Sequence, residues 1–232
     1  MPVLFPLTLT ALVLASTLLA ALPASAFARS YVEALSPDVP VRGTRFLDRL
    51  PQALLALAAT AASAWWVWRT EAGWMGLVAL PVIALLGVAA STDAVCHRLP
   101  NRLLLAAGAW VTTALVALAI ARAVAGAPLP EAVWPLGRGL LSAVATFTVL
   151  LVMTMLPSGM GMGDAKLVAV LGLWLGALSP WAVVAGLVLG FFIGGVVALA
   201  LLAFRLVGRK DVLAFGPYLC CGAWLSWAWA VD

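Results

Sequence analysis

Two aspartates, Asp93 and Asp164, lie about 70 residues apart in the chain, and each borders a long apolar segment. An ionisable side chain at the edge of a hydrocarbon layer is costly, so such residues usually mark functional sites. The other carboxylates fall in predicted loops or at the C-terminus: Glu33, Asp38, Asp48, Glu71, Glu131, Asp211 and Asp232. Asp93 and Asp164 are therefore the candidates for chemistry.

A pair of carboxyl groups at membrane depth favours aspartyl-type hydrolysis. One carboxylate acts as a base and activates a water molecule, while the other, protonated, polarises the carbonyl group under attack. The chain has a single histidine, and Cys96, Cys220 and Cys221 form no Cys-x-x-Cys pair. We therefore expect no metal site and no cofactor, and we expect the adjacent Cys220 and Cys221 to be small core residues.

Glycines alternate with other residues before Asp164, at Gly159, Gly161 and Gly163. Glycine allows backbone angles that are closed to other residues and lets a second chain approach closely, which suits a site that holds an extended peptide. A simpler interpretation is that Asp164 is only the N-cap of the helix that follows. The two roles are compatible, and a second aspartate on the same face of the membrane favours the catalytic one.

The segment that follows Asp93 contains a predicted turn at Leu99-Pro100-Asn101. Proline disfavours helix in the residue before it, and Asn101 is a good N-cap, so we expect the next helix to begin at Arg102. In the alternative interpretation, Asp93 is a helix-end polar group that pairs with His97 or Arg98.

The composition predicts an all-α, polytopic integral membrane protein. Hydrophobic residues make up 65% of the chain, charged residues make up 9%, and the mean hydropathy is +1.14. Eight helices are expected, or seven if the short sixth run does not cross the bilayer. The apolar runs cover about 3–28, 51–68, 73–92, 103–125, 133–156, 164–179, 181–204 and 213–230. We divide the chain into N-terminal helices with a short basic loop, 1–72, and a membrane domain, 73–232.

The basic residues predict which loops face the cytoplasm. If residues 29–50 are cytoplasmic, ten of the thirteen Lys and Arg residues lie on that side, and the exceptions are Arg69, Arg122 and Arg138. Both aspartates then lie at the cytoplasmic face of the cytoplasmic (inner) membrane. The net charge of +4 is spread over short loops, so we expect no nucleic-acid partner. The sequence Ala24-Ser25-Ala26 resembles a signal-peptidase site, but cleavage there would export the basic stretch, so we expect the first helix to be retained.

Tryptophans support the same orientation, because this side chain prefers the membrane interface. Eight of them fall at predicted helix ends on the opposite, external face: Trp65, Trp66, Trp68, Trp74, Trp134, Trp181, Trp227 and Trp229. Glycines also recur at four-residue intervals in the sixth and seventh runs, and we expect them to serve helix packing: Gly172, Gly176, Gly186, Gly190 and Gly194.

Three ordered motifs resemble those of the type IV prepilin peptidases, membrane aspartyl proteases of the Gly-Xaa-Gly-Asp class. They are Asp93 with Leu99-Pro100-Asn101, Gly161-Met-Gly163-Asp164-Ala-Lys166-Leu, and Phe215-Gly216-Pro217-Tyr218 with Gly222. The resemblance covers about 75–225. It implies cleavage of a short basic leader from prepilin-like or pseudopilin-like precursors at the cytoplasmic face.

By motif match, the resemblance assigns catalysis to Asp93 and Asp164. It gives substrate-binding or site-shaping roles to Gly161, Gly163, Lys166, Pro100, Asn101, Phe215, Gly216 and Pro217. Larger members of the family carry a cysteine-rich cytoplasmic loop associated with N-methylation of the product. The corresponding stretch here, residues 29–50, contains no cysteine, which argues against N-methyltransferase activity.

Two other functions remain open from the sequence. A proton-coupled transporter would use Asp93 and Asp164 as a relay, but no ionisable residue near midspan continues the path. An inactive assembly scaffold would keep the fold alone. Within the peptidase hypothesis, helix dipoles suggest a division of roles: Asp164 at a helix N-terminus is the expected base, and Asp93 near a C-terminus the expected proton-bearing partner. The oligomeric state and the precursor are not specified by the sequence.

Overall fold

The structure is a computed structural model that describes residues 4–35, 39, 41–156, 161–205 and 213–232. In these ranges the chain forms helices and no strands, as the composition predicts. Three residues named in the sequence analysis lie outside the described residues: Asp38, Gly159 and Asp211. Two of the ten basic residues assigned to the cytoplasmic side, Arg209 and Lys210, also lie outside them.

Eight helical segments follow one another along the described chain, so the predicted number of eight is confirmed. We label them α1 to α8, with bounds Leu4–Glu33, Arg49–Arg69, Met75–Cys96, Asn101–Val124, Leu129–Met155, Met162–Gly176, Pro180–Ala203 and Gly216–Ala230. Six of these are long and apolar enough to span a membrane, and α6 and α8 are shorter, at 15 residues each. The shortness of α6 is as expected. The eighth run was predicted to begin at 213, but residues 213–215 are not helical, and Pro217 lies in the first turn of α8 instead.

The first helix is continuous but contains a local π-helical segment. Leu4–Leu19 and Ser25–Glu33 are α-helical, and Ala20–Ala24 between them is a π-helix that contains Pro23. Proline lacks an N–H group and cannot complete the regular ladder of hydrogen bonds, which accounts for the irregular turn. A short 3₁₀-helix, Thr44–Leu47, then leads into α2.

Glycines allow α5 to pack closely against α6. A methyl group on Gly172 would come within 2.5 Å of the Thr146 hydroxyl oxygen, and one on Gly176 within 2.5 Å of Ser142 Cβ. The Thr146 hydroxyl also contacts the Val168 carbonyl oxygen at 3.2 Å, across the helix pair. The predicted packing role of Gly172 and Gly176 is confirmed.

A second close pair joins α7 to α8. A methyl group on Gly190 would lie 2.9 Å from the Leu219 Cα atom, and one on Gly194 would lie 3.0 Å from the Phe215 ring. Gly222 of α8 faces the backbone of Gly186 and Gly190. The packing role predicted for the glycines of α7 is therefore confirmed.

The tryptophans divide between two environments. The side chains of Trp65, Trp68, Trp134, Trp181 and Trp229 are exposed, as expected for an interfacial belt. Trp227, in contrast, is fully buried and stacks on Trp174 with ring centroids 6.1 Å apart. The expectation that Trp227 lies at the interface was wrong, because its face of α8 turns inward against α6.

Candidate active site

Asp93 lies in the last turn of α3 and is 5% exposed. Its Oδ2 atom accepts a hydrogen bond of 2.9 Å from the backbone N–H of Gly216, the first residue of α8. His97 ends the helix in a left-handed conformation, with φ 53°, and its N–H donates to the Asp93 carbonyl oxygen at 2.7 Å. Asp93 therefore joins the end of α3 to the beginning of α8, and it does not act as the His97 or Arg98 ion-pair partner considered above.

Gly216 is required by the closeness of this contact. A methyl group on Gly216 would lie 2.7 Å from Asp93 Oδ2 and 3.3 Å from Asp93 Cβ. Phe215 precedes it, and its ring lies between Phe191 and Tyr218, with centroid distances of 5.9 and 6.3 Å. Pro217 follows in the first turn of α8. The Phe215-Gly216-Pro217 motif thus presents one backbone N–H to the buried carboxylate.

Asp164 lies in the first turn of α6 and is half-buried. Its Oδ2 atom accepts a hydrogen bond of 3.0 Å from the N–H of Gly161, the N-cap residue, whose backbone is extended. This is the return bond from the third helical residue to the N-cap. The simpler interpretation made Asp164 the N-cap itself; the helix begins earlier, at Met162, so that Asp164 is its third residue.

Burial dominates the electrostatic environment of Asp164. The loss of solvation raises the pKa of the Asp164 carboxyl above its usual range, and the hydrogen bond from Gly161 opposes this rise. The helix-terminus argument alone favoured the ionised form of Asp164. Burial and the helix terminus therefore act in opposite directions on the pKa of the Asp164 carboxyl.

Asn101 and Lys166 join the two aspartate motifs. Lys166 Nζ donates to Asn101 Oδ1 at 3.1 Å, and a methyl group on Gly163 would lie 3.2 Å from Leu99 Cβ. Asn101 is the first residue of α4 and Pro100 is its N-cap, so the prediction that Asn101 is the N-cap was wrong by one residue. The side-chain oxygen of Asn101 accepts a hydrogen bond from Lys166 and does not cap a backbone N–H group of α4.

These contacts bring the two aspartates to the same end of the helical bundle. The turn at 99–101, which follows Asp93 closely in the chain, contacts the beginning of α6, which carries Asp164, so the two carboxyl groups lie at the same part of the bundle. They come from helices separated by about 70 residues of sequence, and the turn 99–101 and residues 215–217 lie beside them. The arrangement can supply one ionised and one protonated carboxyl group to a shared substrate, which is the requirement of aspartyl-type hydrolysis.

The basic loop before α2 is attached to the same end of the bundle. The N–H of Arg42 donates to the Val95 carbonyl oxygen at 3.0 Å, near the end of α3, and Arg29 pairs with Asp48 at 3.0 Å. The Gln52 side chain, in the first turns of α2, donates to the Phe46 carbonyl oxygen at 2.7 Å. Sequence reasoning did not identify Gln52; a polar residue early in an apolar helix was the available signal.

Comparison with known proteins assigns the chain to a family. Residues 80–199 match the type IV leader peptidase family, which is more than half of the chain, and the chain therefore belongs to that family. The matched range includes Asp93, Asp164 and the turn 99–101, whereas residues 215–217 lie beyond it.

Curated proteins that are similar to the chain are named as prepilin leader peptidases. The prepilin leader peptidase/N-methyltransferase of Pseudomonas putida is 32% identical over 163 residues, which cover 70% of this chain and 53% of that protein. The protein of the same name from Xanthomonas campestris pv. campestris is 29% identical over 170 residues, covering 72% and 54%. The chain thus spans about half the length of these relatives. No solved structure matches the chain.

Proposed function

We propose that the protein is an aspartic endopeptidase of the cytoplasmic membrane that removes the basic leader from prepilin-like or pseudopilin-like precursors. The observation that carries this proposal is the placement of Asp93 and Asp164 at one end of the bundle, where the Lys166–Asn101 hydrogen bond and the close approach of Gly163 to Leu99 join their two motifs. Membership of the type IV leader peptidase family supports the reaction class, and the names of the relatives support the substrate class.

The proposed reaction uses the two carboxyl groups in turn. The ionised carboxylate removes a proton from a water molecule, whose oxygen forms a bond to the scissile carbonyl carbon. The protonated carboxyl group donates a hydrogen bond to the carbonyl oxygen. The peptide nitrogen then takes up a proton, the C–N bond breaks, and the products are a leader that ends in a carboxylate and a mature chain with a free amino group. The two groups titrate as one coupled unit.

The remaining motif residues shape the site in this proposal. Gly161 leaves room beside Asp164 for an extended peptide, Gly163 allows the close approach of Leu99, and Gly216 donates the N–H that orients Asp93. Asn101 accepts a hydrogen bond from Lys166 and Pro100 is the N-cap of α4, while Phe215 and Pro217 fix the beginning of α8. Apart from its precursor, the protein interacts with the lipid bilayer in this account, and no nucleic-acid partner is proposed.

The orientation in this proposal places the acid pair on the cytoplasmic side. Arg29, Arg42 and Arg98 lie at the end of the bundle that carries Asp93, and basic residues are retained on the cytoplasmic side. The exposed tryptophans lie at the opposite ends of the helices. A transporter would need ionisable groups that continue along the bundle, and the proposal therefore favours hydrolysis at one face.

The test is co-expression with candidate precursors from the same genome, read as a shift in electrophoretic mobility. The wild-type protein should shorten at least one precursor by the length of its leader, and Asp93→Asn and Asp164→Asn should not. The matched control is Glu131→Gln, because Glu131 is an exposed carboxylate at the opposite end of the bundle. If every candidate precursor remains uncut by a membrane-inserted wild-type protein, the peptidase proposal is wrong and the transporter and scaffold interpretations gain support.

A further inference from the structure

An apolar groove of about 430 Å³ runs along the bundle between α2, α3 and α8. Several of the α3 residues that line it are small, including Gly87, Ala90 and Ala94. The groove continues along α3 from Ala94 to Ile83, which corresponds to roughly 16 Å at about 1.5 Å per helical residue. Its remaining lining residues come mainly from α2 and α8, at helical spacing: Gln52, Leu55, Ala56, Ala59, Pro217, Cys220, Cys221 and Trp224.

One end of the groove lies beside the proposed catalytic site. Ala94 is adjacent in sequence to Asp93, and Pro217 is adjacent to Gly216, the residue that donates a hydrogen bond to Asp93. From there the groove follows α2 and α3, which are both long and apolar enough to span the membrane. A chain lying in the groove would therefore pass from the apolar part of the bundle to the carboxyl pair.

Gln52 is a polar exception in this apolar lining. Its side chain is 2% exposed, and its amide nitrogen donates to the Phe46 carbonyl oxygen. Its Oε1 atom has no hydrogen-bond partner among the described residues. A buried acceptor without a donor is costly, so a ligand that brings an N–H or O–H group to it would gain affinity.

These features identify the occupant. An acyl chain satisfies the apolar lining but offers no donor to Gln52, whereas a peptide satisfies both and can approach closely over Gly87, Ala90 and Ala94. We infer that the groove binds the apolar segment of the substrate on one side of the scissile bond, and that Gln52 accepts a hydrogen bond from the substrate's main chain. This inference rests on the proposed function and adds a substrate-binding site and a positioning residue to it.

The first test compares two substrates with a variant that fills the groove. Ala59→Leu adds bulk to the groove about two helical turns beyond Gln52 along α2, and Ala61→Leu adds the same bulk to the exposed, opposite face of the same helix. Cleavage is measured on the full precursor and on a short soluble peptide that contains only the scissile region. For the full precursor, Ala59→Leu should raise KM about tenfold with little change in kcat. Ala59→Leu with the short peptide, and Ala61→Leu with either substrate, should give wild-type kinetics.

Gln52→Met tests the polar contact, because methionine has a similar size but no comparable acceptor. KM for the precursor should rise about tenfold, the value expected for one lost hydrogen bond to a buried group, while kcat remains near that of the wild type. A merely structural role would instead lower the amount of active enzyme and leave KM unchanged. An unchanged KM would overturn the role of Gln52.

The second test uses a cysteine that the groove already contains. Cys221 is exposed and lines the groove, so the expectation that it is a core residue was wrong. In the Asp164→Asn protein the precursor remains uncut, and disulfide links can be formed between Cys221 and single cysteines placed along the apolar segment of that precursor. Links should form with Cys221 and be lost in Cys221→Ser. A cysteine introduced at Ala114, in a separate groove that α1, α3 and α4 form, should give none.

The outcomes separate this inference from the proposed function. Equal precursor kinetics for Ala59→Leu and wild type, or links that form only at Ala114→Cys, would overturn the groove assignment while leaving the peptidase intact. Loss of copurified phospholipid in Ala59→Leu with unchanged cleavage would identify a lipid site and also overturn it. Failure of the wild-type protein to cut either substrate would instead refute the proposed function.

Discussion

At the residue scale, the environment of Asp93 depends on a single backbone group. The Gly216 N–H is 2.9 Å from Asp93 Oδ2, and only a residue without a side chain fits there. The hydrogen bond sets the orientation of the carboxyl group, and the close approach of α8 excludes solvent from it. Both effects require a residue without a side chain at position 216, although Gly216 itself takes no part in the proposed reaction.

Gly216→Ala should therefore impair catalysis. Its Cβ would lie 2.7 Å from Asp93 Oδ2, so either the carboxylate or the start of α8 must move. A displacement of about 1 Å at a reacting group can reduce the rate by ~10²-fold, and we expect a loss of that order in kcat. Gly195→Ala is the matched control, because a methyl group there meets nothing within 4 Å. Equal cleavage rates in the two variants would contradict the importance of this contact.

The pH dependence of cleavage should reflect the raised pKa of Asp164. Below that pKa the carboxylate binds a proton and the pair loses its base, so activity should fall on acidification, starting above the usual aspartate value of about 3.9. Gly161→Pro removes the N–H that stabilises the ionised form, whereas Gly161→Ala retains it. The acidic limb of the kcat/KM profile should therefore move to higher pH by about one unit in the proline variant relative to the alanine variant. A shift to lower pH would show that this hydrogen bond does not act on the catalytic pair.

Individual site residues could be identified from the sequence, but several of their contacts could not. Asp93 and Asp164 were distinguished by glycine, proline and apolar neighbours, which are local features. The bond from Gly216 to Asp93 joins residues 123 positions apart, and the bond from Lys166 to Asn101 joins residues 65 apart. Local spacing carries no information about such pairs, and this is why Asn101 was expected to be a cap.

At the element scale, α6 is held by contacts along its whole length. Gly172 and Gly176 allow α5 to approach, and Arg138 of α5 binds the C-terminus of α6. The guanidinium group donates to the carbonyl oxygens of Gly176, Ala177 and Leu178 at 2.7, 2.7 and 2.5 Å. These carbonyls have no later turn of helix to bind, so the cation both satisfies them and complements the helix dipole.

Arg138→Met should destabilise the fold through α6. It retains most of the apolar part of the side chain but leaves three carbonyl groups without their donor, at a cost of about 1–3 kcal/mol for each group that becomes unsatisfied and buried. The thermal unfolding midpoint of the purified protein should fall by several degrees. Arg122→Met serves as the control, because Arg122 is a basic residue near a helix end of the same bundle. Equal thermal unfolding midpoints for the two variants would mean that the hydrogen bonds from Arg138 contribute no stability.

The lengths and faces of the elements were largely predictable. Long apolar runs identify the spanning helices, and glycines four residues apart identify the packed faces of α6 and α7. The start of α8 and the burial of Trp227 were not predictable, because they depend on where α3, α6 and α7 lie in space. Apolar periodicity is also weak in helices that are hydrophobic on all sides, so it does not separate lipid-facing from buried residues.

At the scale of the whole molecule, the distribution of basic residues predicts the orientation in the membrane. Reporter domains fused after Arg98 or Lys166 should be active in the cytoplasm, and those fused after Glu71 or Glu131 should be active outside. The two groups of sites lie at opposite ends of the helices that connect them. A reversed pattern would place the acid pair outside and contradict the proposed cleavage at the cytoplasmic face.

The modification state of the product provides another test. The relatives are named as peptidase and N-methyltransferase, yet residues 29–50 of this chain contain none of the cysteines associated with methylation. We expect the mature substrate to carry an unmethylated amino terminus when this protein acts alone in the presence of a methyl donor. Mass spectrometry of the product decides the matter, since a methyl group adds a defined mass. A methylated product would show that the cysteine-rich loop is dispensable.

The central claim, that Asp93 and Asp164 together hydrolyse the substrate, is tested most directly with purified protein in liposomes. The initial rate of leader release is measured by mass spectrometry for wild type, Asp93→Asn and Asp164→Asn, at equal amounts of folded, inserted protein. Each substitution removes one half of the acid–base pair, so we predict that each lowers kcat by at least ~10²-fold. The double variant should be no worse than either single one, because the two residues act as a unit. A single variant that releases the leader at the wild-type rate would contradict the account.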